Sequence, residues 1–138
     1  MGEENVFVVH EVPFSKALKK SFEIGISQNK KWTLCTDADV LIKKGSLKSF
    51  IEFADKLHDT AFKIYPFFVD KLFNICRGGG LHLYRTSLLR MAIELIPEEG
   101  VDLRPESHVF LKMKELGFEV IEAPLLLAIM ITNNITMT

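Results

Sequence analysis

The chain has 138 residues, which is enough for one ordinary domain and too few for two. Lysine and arginine number 17 against 18 acidic residues, and this net charge of -1 argues against a general nucleic-acid-binding protein. With 48% hydrophobic and 25% charged residues the chain has a globular composition, and its two cysteines form no CxxC pattern that would indicate a disulfide framework or a structural zinc site.

No targeting or membrane-spanning segment is predicted. Residues 1–4 include glutamates at positions 3 and 4, and they lack the basic region and apolar run of a signal peptide. Gly2 does not fit a myristoylation motif, because Val6 stands where Ser or Thr is required. The longest apolar run, residues 124–131, is far shorter than the roughly 20 residues that span a bilayer. We therefore expect a cytoplasmic protein, with attachment to a membrane surface as an open alternative.

Hydrophobic patterning predicts that strands alternate with helices. Strands are predicted over residues 6–9, 32–36, 61–69, 72–76, 81–84 and 118–121, and helices over residues 15–26, 46–57, 87–96 and 105–116. Ser15 is expected to cap the first helix, and Pro105 and Gly117 to mark the two ends of the last one. The 32–36 strand is nearly all apolar, as expected of a strand buried on both faces. The alternation predicts an α/β fold with a mostly parallel sheet flanked by helices.

Two carboxylates, Asp37 and Asp39, directly follow the 32–36 strand. In sheets of this class, ligands bind beyond the carboxyl ends of the strands. Two such carboxylates can converge on Mg²⁺ or Mn²⁺, which take oxygen ligands and share them with substrate phosphates. An EF-hand loop is excluded, because its sixth and twelfth positions hold Ile42 and Lys48. The alternative is that one aspartate caps a turn before the next helix.

Two further segments contain candidate site residues. Gly78, Gly79 and Gly80 lack side chains where the backbone could approach a ligand closely, although a flexible turn between two strands explains them equally. They do not form a GxGxxG phosphate-binding motif, because Leu83 stands at its last position. Glu106 lies in the first turn of the last predicted helix, where it either compensates the helix dipole or acts as a general base.

In this order, the segments resemble nucleotide-sugar glycosyltransferases of the GT-A type, and most closely glycosyltransferase family 2. The resemblance covers about residues 13–124 and rests on residues 32–42, on residues 78–85, and on Glu106 and Ser107 followed by residues 111–118. It implies a partial GT-A fold in a single domain over residues 1–138. It also implies transfer of a sugar from a nucleotide-diphosphate donor to an acceptor hydroxyl, with inversion and with Mn²⁺ or Mg²⁺ as the cofactor.

The resemblance also assigns roles to the matching residues. It implies that Asp39 is a metal ligand and that Asp37 contacts the donor ribose or the metal. Gly79 and Gly80 would pack near the donor sugar. These roles are implied by the family and do not follow from the spacing of the residues alone.

The remaining assignments include two departures from the family pattern. Lys16 or Lys20 falls near the family's basic residue at the diphosphate, and Glu106 would deprotonate the acceptor hydroxyl. The family has Glu-Asp where this chain has Glu106 and Ser107, which weakens the assignment of the base. The family also begins with strands that form the nucleotide pocket, and only residues 6–9 are expected to replace one of them.

Two alternatives belong to other functional classes. The first is a non-catalytic scaffold or partner-binding module, suggested by the missing strands and by the phenylalanine-rich residues 65–68. An open sheet edge in such a module would favour a homo-oligomer or a partner strand. The second is a metal-dependent phosphoryl-transfer enzyme, for which Asp70 and Asp102 are the only further carboxylates loosely placed to contribute.

Overall fold

Helices and strands alternate in the computed structural model, which describes residues 5–10, 13–36, 40–70, 75–78, 81–98 and 104–130. Its elements are α1 (Phe14–Gln28), β1 (Trp32–Thr36), β2 (Val40–Ile42), α2 (Ser46–Asp55), β3 (Ala61–Asp70), β4 (Ile75–Gly78), β5 (Leu81–Arg85), a 3₁₀ turn (Thr86–Leu88), α3 (Leu89–Glu94), α4 (Pro105–Glu115) and β6 (Glu119–Met130). The predicted α/β class is confirmed. None of the helices in the described ranges is long and apolar enough to cross a bilayer.

The chain divides into two compact units, each made of two chain segments. Unit 1 consists of Met1–Thr33 with Arg85–Phe118, and unit 2 consists of Leu34–Tyr84 with Glu119–Thr138. The chain therefore passes from one unit to the other within β1, at the end of β5, and between α4 and β6. The single domain over residues 1–138 stays a prediction.

In unit 1, helix α1 packs against α3 and α4. Its buried side is formed by Leu18, Phe22 and Gly25. A side chain at Gly25 could not be accommodated, because an added Cβ would lie 2.5 Å from Oγ1 of Thr33 and 3.1 Å from Cδ1 of Leu89. The glycine thus allows the helix backbone to approach the start of β1 closely.

The ends of the helices follow the predicted signals only in part. Pro105 is in the first turn of α4, and Gly117 has a φ of +96° just past its end, as predicted. Ser15 does not cap α1, because the helix begins one residue earlier and Pro13 is at the N-cap position without a side-chain hydrogen bond. The strand predicted over residues 6–9 is also wrong. That segment has no regular structure, and Val6 and Val8 are exposed, with Val8 at 74%.

Unit 2 contains most of a mixed sheet, in the strand order β1-β5-β3-β6-β2, with β4 also paired to β3. The prediction of a mostly parallel sheet is wrong, since three of the four pairings with a described register are antiparallel and only β3 with β6 is parallel. The physical reason is connection length. Only four residues link β3 to β4, whereas a parallel crossover needs about a dozen.

Two strands differ from their predicted character. Strand β1 is first in the strand order and half-buried over Trp32 to Cys35, so it is an edge strand of the described sheet and not one buried on both faces. Strand β6 runs well beyond the predicted 118–121 and pairs with all three residues of β2, which the sequence pattern did not predict. Its pairing with β3 is irregular around Pro66, which has no N–H to donate to the ladder.

Some of the phenylalanines lie in the core, whereas Phe7 and Phe14 are exposed. Phe50 of α2 and Phe62 of β3 are fully buried, and Phe68 is 2% exposed. Leu81 and Leu83 of β5 are buried beside them in unit 2. Each fully buried aromatic or aliphatic side chain contributes about 1.5–3 kcal/mol to folding, so this cluster supplies much of the driving force for the unit.

We predict that Gly25→Ala destabilises the protein. The added methyl group has no room between Thr33 and Leu89, and overpacking of this kind costs about 1–3 kcal/mol, which exceeds the gain of up to about 1 kcal/mol from alanine's helix propensity. Chemical denaturation should therefore give a lower free energy of unfolding for the variant. Lys19→Ala, at an exposed position of the same helix, serves as the control. Equal stability of Gly25→Ala and the parent would contradict the close approach.

Candidate metal and donor site

Strands β3 and β6 end at the same end of the sheet, where β2 begins. The register pairs Asp70, the last residue of β3, with Met130, the last residue of β6. Met130 in turn pairs with Val40, the first residue of the antiparallel strand β2. This end, which we call the carboxyl end of the sheet, is where a polar site is expected in an α/β fold.

Strand β1 ends at the carboxyl end as well, because of how it meets β5. The backbone N–H of Thr86 donates to the carbonyl of Lys31 over 3.1 Å, which puts the end of β5 beside the start of β1. Because the two strands are neighbours in the sheet and the end of β5 meets the start of β1, they run antiparallel. The end of β1 therefore lies at the end of the sheet where β5 begins.

The predicted metal ligands Asp37 and Asp39 lie outside the described residues. The residues on either side are described: Thr36 is exposed, and Val40 is 9% exposed. The chain therefore leaves β1 and enters β2 at the carboxyl end of the sheet, and the acidic pair is the connection between them. Metal binding by these two residues stays a prediction.

Gly79 and Gly80 also lie outside the described residues, and the chain resumes at Leu81. Gly78 is described, and an added Cβ there would lie 2.7 Å from the ring of Tyr65 and 3.3 Å from the carboxylate of Glu122. The glycine run predicted a close approach of the backbone. At Gly78, the backbone closely approaches the side chain of Tyr65 and not a ligand.

The other two predicted site residues, Lys20 and Glu106, belong to unit 1. Lys20 is exposed on α1, and Glu106 is half-buried in the first turn of α4, the helix that packs against α1. The acidic and glycine pairs belong by chain position to unit 2. Within the described ranges, no group of three or more His, Cys, Asp or Glu residues is arranged to hold a metal ion.

A cluster of polar side chains outside the predicted site lies on β3, β5 and β6. Lys63 is only 5% exposed, and its Nζ lies 5.5 Å from the centroid of the Tyr65 ring. The rings of His82 and Tyr84 are stacked with centroids 6.4 Å apart, as the alternation of β5 indicates. Nothing in the sequence around Lys63, a single lysine within an aromatic run, indicates that it is buried. Its burial results from the pairing of β3 with two neighbouring strands.

Burial and charge determine the protonation of this cluster. Burial, followed by the positive charge of Lys63, lowers the pKa of His82 to about 3, so its imidazole is neutral at physiological pH. Partial burial, followed by the negative charge of Glu122, raises the pKa of Tyr65. The cluster therefore presents a neutral histidine and a protonated tyrosine beside a buried cation.

Comparisons with known proteins identify no relative of this chain: no family profile, curated protein sequence or solved structure matches it.

We predict that His82 makes stability depend on pH. Its pKa is about 3 in the folded protein, so between pH 6.5 and about 3 the unfolded chain binds more protons than the folded one. Stability must then fall as the pH drops through this window, by up to about 1.4 kcal/mol per pH unit.

Urea denaturation at several pH values tests this dependence. The parent should lose stability on acidification more steeply than His82→Gln, because the carboxylates titrate in both proteins and cancel in the difference. His10→Gln, which replaces an exposed histidine, should behave like the parent. Equal slopes for His82→Gln and the parent would show that the imidazole is not held neutral.

Proposed function

We propose that this chain is a metal-dependent glycosyltransferase domain of the GT-A type. It would transfer a sugar from a nucleotide-diphosphate donor to an acceptor hydroxyl with inversion. The observation that supports this proposal most is the antiparallel register of β1 with β5. The end of β1, which precedes the acidic pair, and the start of β5, which follows the glycine pair, therefore belong to the same end of the sheet. Two segments far apart in the sequence, both expected at a sugar donor, thus begin at one end of the sheet.

The donor set at this place suits a hard divalent cation. Asp37 and Asp39 offer only carboxylate oxygens, the ligands preferred by Mg²⁺ and Mn²⁺. In the proposed site Asp39 is a metal ligand, and Asp37 contacts the metal or the donor ribose. When bound, the cation neutralises negative charge that develops on the departing diphosphate.

Glu106 and Lys20 would act on the acceptor and on the diphosphate. As the acceptor oxygen bonds to the anomeric carbon and the diphosphate departs, Glu106 accepts the hydroxyl proton. Lys20, exposed on α1, would attract the negatively charged diphosphate, while Gly79 and Gly80 leave space beside the sugar. Ser107 replaces the family's aspartate next to the base, so Glu106 would act without a neighbouring carboxylate in that position.

A second candidate function is supported by the edge position of β1. This strand has β5 on one side, and its other side forms an edge of the described sheet. Such an edge can pair with a strand from a second copy or from another protein. A non-catalytic module that binds a partner through β1 is therefore the alternative to the enzyme.

We predict that nucleotide diphosphates bind only with a divalent cation and that Asp39 is required. Calorimetry with UDP and with GDP, each with and without Mn²⁺, measures both dependences. Asp39→Ala should weaken nucleotide binding in the presence of Mn²⁺ by about tenfold or more, since a metal ligand is lost. Asp59→Ala, which removes an exposed carboxylate elsewhere in unit 2, is the matched control. Unchanged binding of both Mn²⁺ and nucleotide by Asp39→Ala would refute the assignment.

We predict that Glu106→Gln slows sugar transfer by about 10²- to 10⁴-fold without weakening nucleotide binding, because it removes a proton acceptor and no donor contact. Release of nucleoside diphosphate from a panel of UDP- and GDP-sugars measures the rate. Glu115→Gln, at an exposed glutamate at the other end of α4 that pairs with Lys112 at 3.6 Å, is the control. A Glu106→Gln variant as fast as the parent would reject this base, and a parent that self-associates without binding any nucleotide would favour the partner-binding module.

A further inference from the structure

The pairing of β3 is interrupted near its middle. Strand β6 pairs with β3 from one end to the other, so β4 and β5 both lie along the opposite side of β3. On that side, Gly78 of β4 pairs with Phe67, and Leu83 of β5 pairs with Ile64. Between these two pairs β3 has two residues, whereas its partner has four, residues 79–82. The partner segment that contains the glycine pair is thus two residues longer than a regular ladder needs.

The other side of β3 is interrupted at the same place. Glu122 of β6 pairs with Tyr65, and Leu126 pairs with Phe67, so three residues of β6 correspond to Pro66 alone. Proline has no N–H to donate to a ladder, and irregularities of this kind are frequent next to active sites, where they end strand pairing or redirect side chains. Tyr65 and Pro66 therefore occupy a position in the sheet where a functional role is expected.

The ring of Tyr65 packs against the backbone where β4 ends. An added Cβ at Gly78 would lie 2.7 Å from Cε2 and 3.1 Å from Cδ2 of this ring, and 3.3 Å from Oε1 of Glu122. The same ring has Nζ of Lys63 at 5.5 Å from its centroid. The ring leaves no room for a side chain at Gly78, the last residue of β4, and so fixes the backbone directly before the glycine pair.

We propose that Tyr65 is a positioning residue for the sugar subsite of the donor site. This inference rests on the proposed function, in which Gly79 and Gly80 pack beside the donor sugar. Because the ring holds Gly78, it restricts where the glycine pair begins, and less conformational entropy is lost when the sugar binds. Without the ring this entropy is lost on binding, so the sugar binds more weakly.

The contacts separate the role of the ring from that of the hydroxyl, and the sugar from the nucleotide. Gly78 approaches carbon atoms of the ring, and Lys63 lies over its face, so phenylalanine can replace tyrosine here. In the proposed site the cation and the diphosphate depend on Asp37 and Asp39, which follow β1 and not β4. Loss of the Tyr65 ring should therefore weaken the binding of the sugar and leave the binding of the nucleotide unchanged.

The test compares a nucleoside diphosphate with its sugar conjugate. Calorimetry of the full chain with Mn²⁺ measures the Kd of UDP, of GDP, and of the UDP- or GDP-sugar that the parent binds most tightly. Tyr65→Ala should bind the sugar nucleotide about tenfold more weakly and the nucleoside diphosphate as tightly as the parent. Tyr65→Phe should match the parent for both ligands. Phe53→Ala, which removes a half-buried ring from α2 in unit 2, is the matched control and should cause no selective loss.

A second variant tests the same contact if Tyr65→Ala fails to fold. Gly78→Ala keeps the ring but adds the Cβ that displaces it, so it should show the same selective loss. An equal loss of both ligands in these variants, or no loss, overturns the positioning role, and so does a Tyr65→Phe variant as weak as Tyr65→Ala. In each of these results the parent binds nucleotide, so the proposed function is unaffected. A parent that binds no nucleoside diphosphate refutes the proposed function and this inference together.

Discussion

The hydrogen bond from the Thr86 N–H to the Lys31 carbonyl sets the register on which the rest of this structure depends. It aligns β5 antiparallel to β1, so that β1 runs in the same direction as β3 and β6. One consequence is that β1 ends at the end of the sheet where β5 begins. Another is that the start of β1 lies beside the end of β5, where Arg85 packs over Trp32. A single strand pairing thereby positions both ends of β1.

Close packing around this pairing explains why small residues occur where they do. Gly25 brings α1 against Thr33, and the Thr33 hydroxyl meets that of Thr86. Adding one methyl group to the helix at that point would press on the same threonine that ties β1 to the start of the 3₁₀ turn. Gly78 has the same relationship to Tyr65 on the sheet. In both places a missing side chain allows a neighbouring side chain to pack against the backbone.

Most elements of the fold could be predicted from the sequence, because their signals are local. The helices α1, α2 and α4 show apolar residues at helical spacing, and β1, β3 and β5 are short runs bounded by polar or glycine residues. Strand β2 could not be predicted, since three residues form a strand only when β6 reaches them. The segment from Val6 to Val9 is the opposite case, because a strand was predicted there and the structure has none in that segment. Its β-branched residues favour a strand, but a strand needs a partner in the sheet, which local preference does not supply.

The sequence by itself determined the α/β class, the order of the elements and the candidate chemical groups: Asp37, Asp39, Gly79, Gly80, Lys20 and Glu106. Only the tertiary structure decided the mixed direction of the strands, the burial of Lys63 and His82, and the packing of Arg85 over Trp32 at the amino end of β1. The physical reason is the separation along the sequence of the residues that interact. Helix periodicity and strand alternation arise between residues a few positions apart, whereas strand direction, burial and packing between strands depend on segments more than fifty residues apart, such as Lys31 and Arg85.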